Sequence, residues 1–270
     1  MGNMENQLHW SFDYTPQWVE LGYGQQFEKI LSRGLESIQK QANATVKRDV
    51  FAILPNFSNS WKRDNPKETE TLRIGALSIE RKLESDGLWH YKVDHKNVTS
   101  GEKLNLDFKC MNDPLRTLMP QWVIKAQNSS DGSYSSISLN GSLVGSNGRS
   151  FIQLKTRKGL TFNVGSVLPD SPLICNWTLV DVVRFLGKDG VKDLSILDDL
   201  ERLKTSCEIR PLDQWRFRNS SKHWDLTAYT LFGKGLPPSH WWVTGNGDVV
   251  VVSTMLSTYI LENSDGENIA

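Results

Sequence analysis

The chain has 270 residues and a mass of 30.6 kDa, enough to bury a substantial core without metal or disulfide support. Its 31 Lys+Arg balance 31 Asp+Glu, which disfavours a basic-patch binder of nucleic acid or anionic membrane surface. Cys110, Cys175 and Cys207 form no CxxC pair or Cys/His cluster and read as buried thiols of a reducing compartment, and no run approaches the ~20 apolar residues needed to span a bilayer.

Residues 1–15 lack periodicity and read as an extended arm. Phe27, Ile30, Leu31, Leu35 and Ile38 then recur at helical spacing, predicting a helix over Gln25–Gln41, preceded by a turn of helix at Gln17–Leu21. Residues 1–45 form this arm and helix. From Val46 the texture changes to short β-like runs separated by Gly, Asn, Asp and Ser. Val46–Leu54 is followed by the polar loop SNSWKRDNPKETET. In LRIGALSIERKL, Arg73, Gly75, Leu77, Ile79 and Arg81 alternate against the residues between them. Asp86-Gly87 and Ser100-Gly101 turn the chain into LWHYKVDHKNV and KLNLDFKCM. After an interruption at NDPLRTLMP, Trp122–Gln127, Ser133–Val144, Ser150–Lys155 and Arg157–Val167 continue the pattern, giving six or seven strands in succession.

NWTLVDVVRFLG predicts a helix capped by Asn176 or Thr178 and stopped at Gly187. Ile196, Leu197, Leu200 and Leu203 predict a second, shorter helix over Ser195–Leu203, so the helical insert spans about 176–203 of a β-rich domain over 46–262. Cys207–Leu212 with Trp215–Arg218, Trp224–Phe232 and a last hairpin close that domain, and 263–270 reads as a polar tail. The hairpin starts at about His240, because Pro237 and Pro238 bar a central strand, and turns at Gly245-Asn246-Gly247. Trp241 and Trp242 face opposite sides of it and Val249–Val252 does not alternate, so both faces are apolar and need a cover. The fold class is mainly β with α: a curled antiparallel sheet or barrel, built as a meander and covered by two to three helices.

Catalytic signals are sparse. His90 and His95 lie five apart in a strand, on opposite faces, which does not suit two ligands of one metal. No nucleophile elbow or phosphate loop occurs, and no cofactor is called for. His240, His223 and Asp225 are the acid/base candidates, though all lie beside turns, where polar residues are common. Ten tryptophans are a richer signal. Trp89, Tyr91, Trp122, Trp177, Trp224, Tyr229, Phe232, Trp241 and Trp242 could line a concave apolar site, with Arg73, Arg216 and His240 as polar anchors.

The strand LTFNVGSV, the segment LICNWTLVDVVRFLG and the final pair GKGLPPSHWWVTGNGDVVVVS resemble the bacterial lipoprotein-carrier-like half-barrels, over the last 110 residues or so. That resemblance implies carriage of a lipid-like molecule between sheet and helices, without covalent chemistry. A lipocalin-like closed barrel fits the meander equally well. The expectation is a soluble binder of a hydrophobic small molecule, without nucleic-acid partners. A small cofactor-independent cyclase, isomerase or hydratase in the same pocket and a purely structural or interaction protein are the alternatives. Met1–Asn6 carries no export signal, so the sequence as it stands reads as cytoplasmic, or as periplasmic or secreted had a leader been removed. Seven Asn-X-Ser/Thr sequons, at Asn43, Asn56, Asn97, Asn128, Asn140, Asn176 and Asn219, would then gain meaning.

Overall fold

A computed structural model describes residues 24–38, 46–56, 73–98, 101–130, 133–146, 148–168, 171–186, 190–219 and 222–267. The expected arm, the turn at 17–21, the polar loop after Asn56 and the stop at Gly187 lie outside these residues.

Eight antiparallel strands follow helix α1 (Gly24–Ile38): β1 (Val46–Pro55), β2 (Gly75–Leu83), β3 (Trp89–Asn97), β4 (Glu102–Cys110), β5 (Leu118–Ser130), β6 (Ser133–Ser146), β7 (Arg149–Thr156) and β8 (Thr161–Val167). After β9 (Leu173–Cys175), the helical insert runs as a 3-10 turn Asn176–Thr178, an α-turn Leu179–Val182 and a 3-10 turn Val183–Phe185. Six strands complete the chain: β10 (Val191–Asp198), β11 (Arg202–Asn219), β12 (Lys222–Gly233), β13 (Leu236–Thr244), β14 (Val249–Ser253) and β15 (Ser257–Glu267).

All fifteen form one sheet, ordered β8-β7-β6-β5-β4-β3-β2-β1-β15-β14-β13-β12-β11-β10-β9. Two meanders are thus zipped together by β1 pairing with β15, and only β9 and β10 run parallel. The sheet curls until its halves meet. The Trp122 indole N–H on β5 donates to the Leu200 carbonyl at 3.1 Å, and Gly165 on β8 lies so close to Leu203 on β11 that a Cβ there would stand 2.7 Å from it. The result is a nearly closed, barrel-like sheet.

Registered residues of an antiparallel pair share a face. One such row runs Phe51, Leu77, His95, Leu104, Ala126, Ile137 across β1 to β6, and another joins Lys47, Arg81, Tyr91, Phe108 and Trp122. Both lie on the concave side. The outer positions of the same strands carry Lys82, Lys92, Asp94, Lys103, Asp107 and Lys109, so alternation alone sets inside from outside. The insert lies within the curl, and Trp177, Leu179, Val180, Asp181, Val182, Val183 and Leu186 are all buried.

Helix α1 seals a different defect. The valine strand β14 ends level with the middle of β15 and leaves the last residues of β15 with a free edge. There the Ser264 N–H donates to Ser37 Oγ at 2.9 Å, and the helix backs in at Gly34, where a Cβ would stand 2.1 Å from the Leu261 carbonyl oxygen.

Four sequence expectations are corrected. Ser195–Leu203 is not a helix: Leu194, Ile196 and Leu197 lie on β10, and Asp199 and Leu200 turn the chain with φ of 50° and 61°. A strand buried on both faces shows the same short apolar run as a helix. The helical insert therefore stops at Phe185 instead of reaching 203. Asn263–Glu267 is no polar tail but the end of β15, where Ser264 meets the β1 carboxylate of Asp49. The last hairpin starts at Leu236 and includes Pro237 and Pro238, which is tolerated because β14 pairs with β13 only from His240 onward.

Candidate functional site

The insert crosses the interior antiparallel to β3 and touches the wall at three levels. At one end Trp177, His95 and Tyr259 form an aromatic cluster, with ring centroids 5.7 Å apart for Trp177 and Tyr259, 6.0 Å for His95 and Tyr259, and 6.4 Å for His95 and Trp177. The Trp177 indole donates to Asp199 Oδ1 at 2.8 Å, and the Tyr259 hydroxyl lies 3.4 Å from His95 Nε2. Burial lowers the His95 pKa, against the opposing pull of Asp199, Glu102 and Asp94, and so favours the neutral imidazole.

In the middle, Arg81 is clamped between wall and insert. Its Nη2 donates to Asp49 Oδ2 on β1 at 2.6 Å, and its Nε lies 3.0 Å from Asp181 Oδ2 on the insert. Asp181 Oδ2 also accepts from the Tyr91 hydroxyl at 2.7 Å, and Asp49 Oδ1 from Ser264 Oγ at 2.5 Å. Burial would push the Asp49 carboxyl up, but the charges of Arg81 and Lys47 and the bonds from Ser264 and Arg81 outweigh it and hold it below the usual range. Burial, with Asp181 adding to it, drives the Tyr91 hydroxyl well above its ordinary value. Near neutrality Asp49 is thereby held as a carboxylate and Tyr91 as a neutral phenol. At the far end, Phe185 and Trp89 flank the guanidinium of Arg116.

Along one row the concave face is buried on β1 and β2, partly buried at His95, Leu104 and Ala126, and open at Ile137. Phe51 is 0% and Leu77 1% exposed, but Ile137, three ladder steps beyond His95, is 49% exposed. Phe162 opposite Leu154 and Leu160 just before β8 follow the same alternation at 51% and 63%. Ile137, Leu160 and Phe162 thus make the open end of the concave face an apolar floor on β6 to β8.

The aromatic residues singled out from sequence divide among these places. Trp177 joins His95 and Tyr259 at one end of the insert, and Trp89 lies at the opposite one. Tyr91 is stacked on Phe108 at 5.2 Å, and Trp122 ties β5 to the β10–β11 turn. Trp241 and Trp242 do face opposite ways, each 3% exposed. Trp241 shares the concave side with Tyr229, whose hydroxyl donates to the Leu186 carbonyl of the insert at 3.0 Å, and with Val252 and Tyr259. Trp242 lies on the outer side with Val251, Ile260 and Ala52, all buried.

Of the acid/base candidates, His240 is on that outer side, its Nδ1 2.8 Å from Thr230 Oγ1 and its pKa lowered by burial. His223 and Asp225 are exposed on β12, and the side chain of Arg216, opposite Asp225, lies outside the described residues. His90 and His95 occupy opposite faces as expected, His90 Nε2 lying 2.8 Å from Asp107 Oδ1 outside. Sequence reasoning missed His95, Tyr259 and Asp199 as a group, because they come from β3, β15 and a turn. It also missed Arg116. Asn56, among the sequons, is fully buried and accepts from Thr258 Oγ1 at 2.7 Å.

The cysteines are buried and free, and burial pushes all three thiols up, Cys207 to about 11. No helix of the described residues is long and apolar enough to cross a membrane.

No protein-family model and no curated protein matches the chain. Among solved structures it is similar to a β-barrel-like protein of a domain of unknown function, DUF1849, from Brucella abortus. The match has 8% identity and a TM-score of 0.49, covering 84% of this chain and 99% of that one. The barrel assignment rests on the strand order and register described above.

Proposed function

We propose that the protein binds a hydrophobic small molecule against the open end of its concave face. One observation carries this reading: three large apolar side chains on the concave face, Ile137, Phe162 and Leu160, are 49%, 51% and 63% exposed, where Phe51 and Leu77 on the same face are buried. Removing them from water contributes roughly 1 kcal/mol or more each, the scale of half-burying such a side chain. His95 and the Tyr259 hydroxyl, on the same concave face, supply polar atoms that orient the ligand, while the insert fills the remainder of the curl.

The test is titration with the neutral apolar fluorophore N-phenyl-1-naphthylamine. Saturable binding is expected, lost in Phe162→Glu while the far-UV circular dichroism stays unchanged. Unchanged binding by that folded variant contradicts the proposal.

A further inference from the structure

At the end of the curl away from His95, the loop between β4 and β5 carries Arg116, with a φ of 56°. Arg116 is 4% exposed, and its guanidinium carbon lies 4.8 Å from the Trp89 centroid and 5.8 Å from that of Phe185. Nη1 donates to Asn112 Oδ1 at 3.1 Å and to the Asp113 carbonyl at 2.8 Å. Asn112 Oδ1 also accepts from the Trp89 indole at 2.9 Å, so ring and cation share one anchor.

Among the described residues the buried Nε–H has no acceptor. Asp113 Oδ1 accepts from the Thr117 N–H at 3.0 Å, and among the described residues no Asp or Glu forms an ion pair with Arg116. A second cation stands close by: the Arg184 guanidinium lies 4.6 Å from the Phe185 centroid, its Cβ braced where Gly247 passes. Phe185 itself is 51% exposed.

A buried cation with one N–H unmet is costly, because the desolvated donor loses its water without a replacement. With Nη1 occupied, the remaining edge is formed by Nε and Nη2. Two parallel N–H groups on that edge match the two oxygens of a carboxylate, a bidentate geometry that Lys cannot offer. The exposed Phe185 ring offers a flat apolar body a partner, and Arg184 beside it adds positive potential.

We propose that this end of the barrel is a second binding site, for a small arylcarboxylate. The carboxylate takes the Nε/Nη2 edge of Arg116, and the aryl ring packs on Phe185, which swings from the guanidinium to admit it. The site stands apart from the apolar floor at the open end and does not rest on it.

Nitrogen-15 NMR of the arginine Nε–Hε groups tests this in the whole chain, with the Arg116 resonance identified by its loss in Arg116→Lys. Benzoate, acetate and inorganic phosphate are titrated separately at constant ionic strength. The Arg116 signal is expected to move saturably with benzoate, and with acetate about tenfold more weakly, the equivalent of about 1.4 kcal/mol of ring contact. No movement, equal movement of all arginine signals, or tighter binding of phosphate than of benzoate overturns the proposal. Should Arg116→Lys fail to fold, Phe185→Ala and Arg184→Gln alter exposed side chains only. The first should abolish the preference of benzoate over acetate and the second should weaken both several-fold, and unchanged affinities in these variants overturn it.

Discussion

Replacing Arg81 by Met removes the one cation between Asp49 and Asp181, whose side chains are 7% and 6% exposed. Met fills the same space, so packing is nearly conserved and the effect is electrostatic. Stripping the partner from a buried ion pair costs about 3–5 kcal/mol. For a chain of this size that lowers Tm by about 6–20 °C, at roughly 2–4 °C per kcal/mol. Asp181→Asn alone should cost less, because the amide oxygen still accepts from the Tyr91 hydroxyl. The double variant should be more stable than the sum of the singles by roughly 2 kcal/mol, since removing both charges leaves less uncompensated. The pH dependence should also change. The depressed Asp49 pKa gives the parent protein stability that is present above about pH 4, the unfolded value, and lost as pH falls through the lower folded value. Without Arg81 the Asp49 carboxyl moves up, opposed only by Lys47 and Ser264, and the acid-side loss of stability shifts toward higher pH. Urea unfolding followed by far-UV circular dichroism between pH 2 and 8 measures both effects. A loss below 1 kcal/mol for Arg81→Met, or strict additivity with Asp181→Asn, would refute the clamp.

Other consequences follow from single contacts. Gly141→Ala places a Cβ 1.9 Å from the Trp122 indole nitrogen, so it should cost about 1–3 kcal/mol by overpacking and alter the near-UV tryptophan signal; a neutral substitution is the contrary result. His95 should titrate below its ordinary 6.5 in NMR, and its share of the folding stability should fall as pH drops through 6.5, because the unfolded imidazole takes up the proton first. Cys110, Cys175 and Cys207 should resist a thiol reagent at pH 8 until the protein is unfolded, since the thiolate is both scarce and covered; rapid labelling of the native chain would contradict their burial.

Much of the wall was legible in the sequence. The alternation in LRIGALSIERKL places Arg81 on the face of Leu77 and Ile79, and the structure keeps it there, inside. Period 2 identifies the face but not the partner that makes an inward arginine tolerable, for Asp49 and Asp181 lie 32 and 100 positions away along the chain. The same limit hid β15. Its polar end belongs to a strand only because β1, more than two hundred residues earlier, pairs with it and supplies Asp49 for Ser264. The apolar run Leu194–Leu197 misled for a different reason, since burial on both faces removes the alternation that separates strand from helix. Tryptophan density pointed to aromatic-lined space, but of the six tryptophans whose side chains are described, Trp122, Trp177, Trp241 and Trp242 are buried in the core. The exposed apolar floor comes from Ile137, Leu160 and Phe162, ordinary residues whose exposure on a concave face depends on how far the sheet curls.

Carbon-13 methyl NMR of the isoleucine, leucine and valine groups, recorded while N-phenyl-1-naphthylamine is added, tests the proposed apolar site most directly. The account predicts saturable shifts at Ile137, Leu139 and Leu160, with Val249, Val250, Val251 and Val252 of the buried hairpin unchanged. Shifts centred on those valines, or none that saturate, would contradict it.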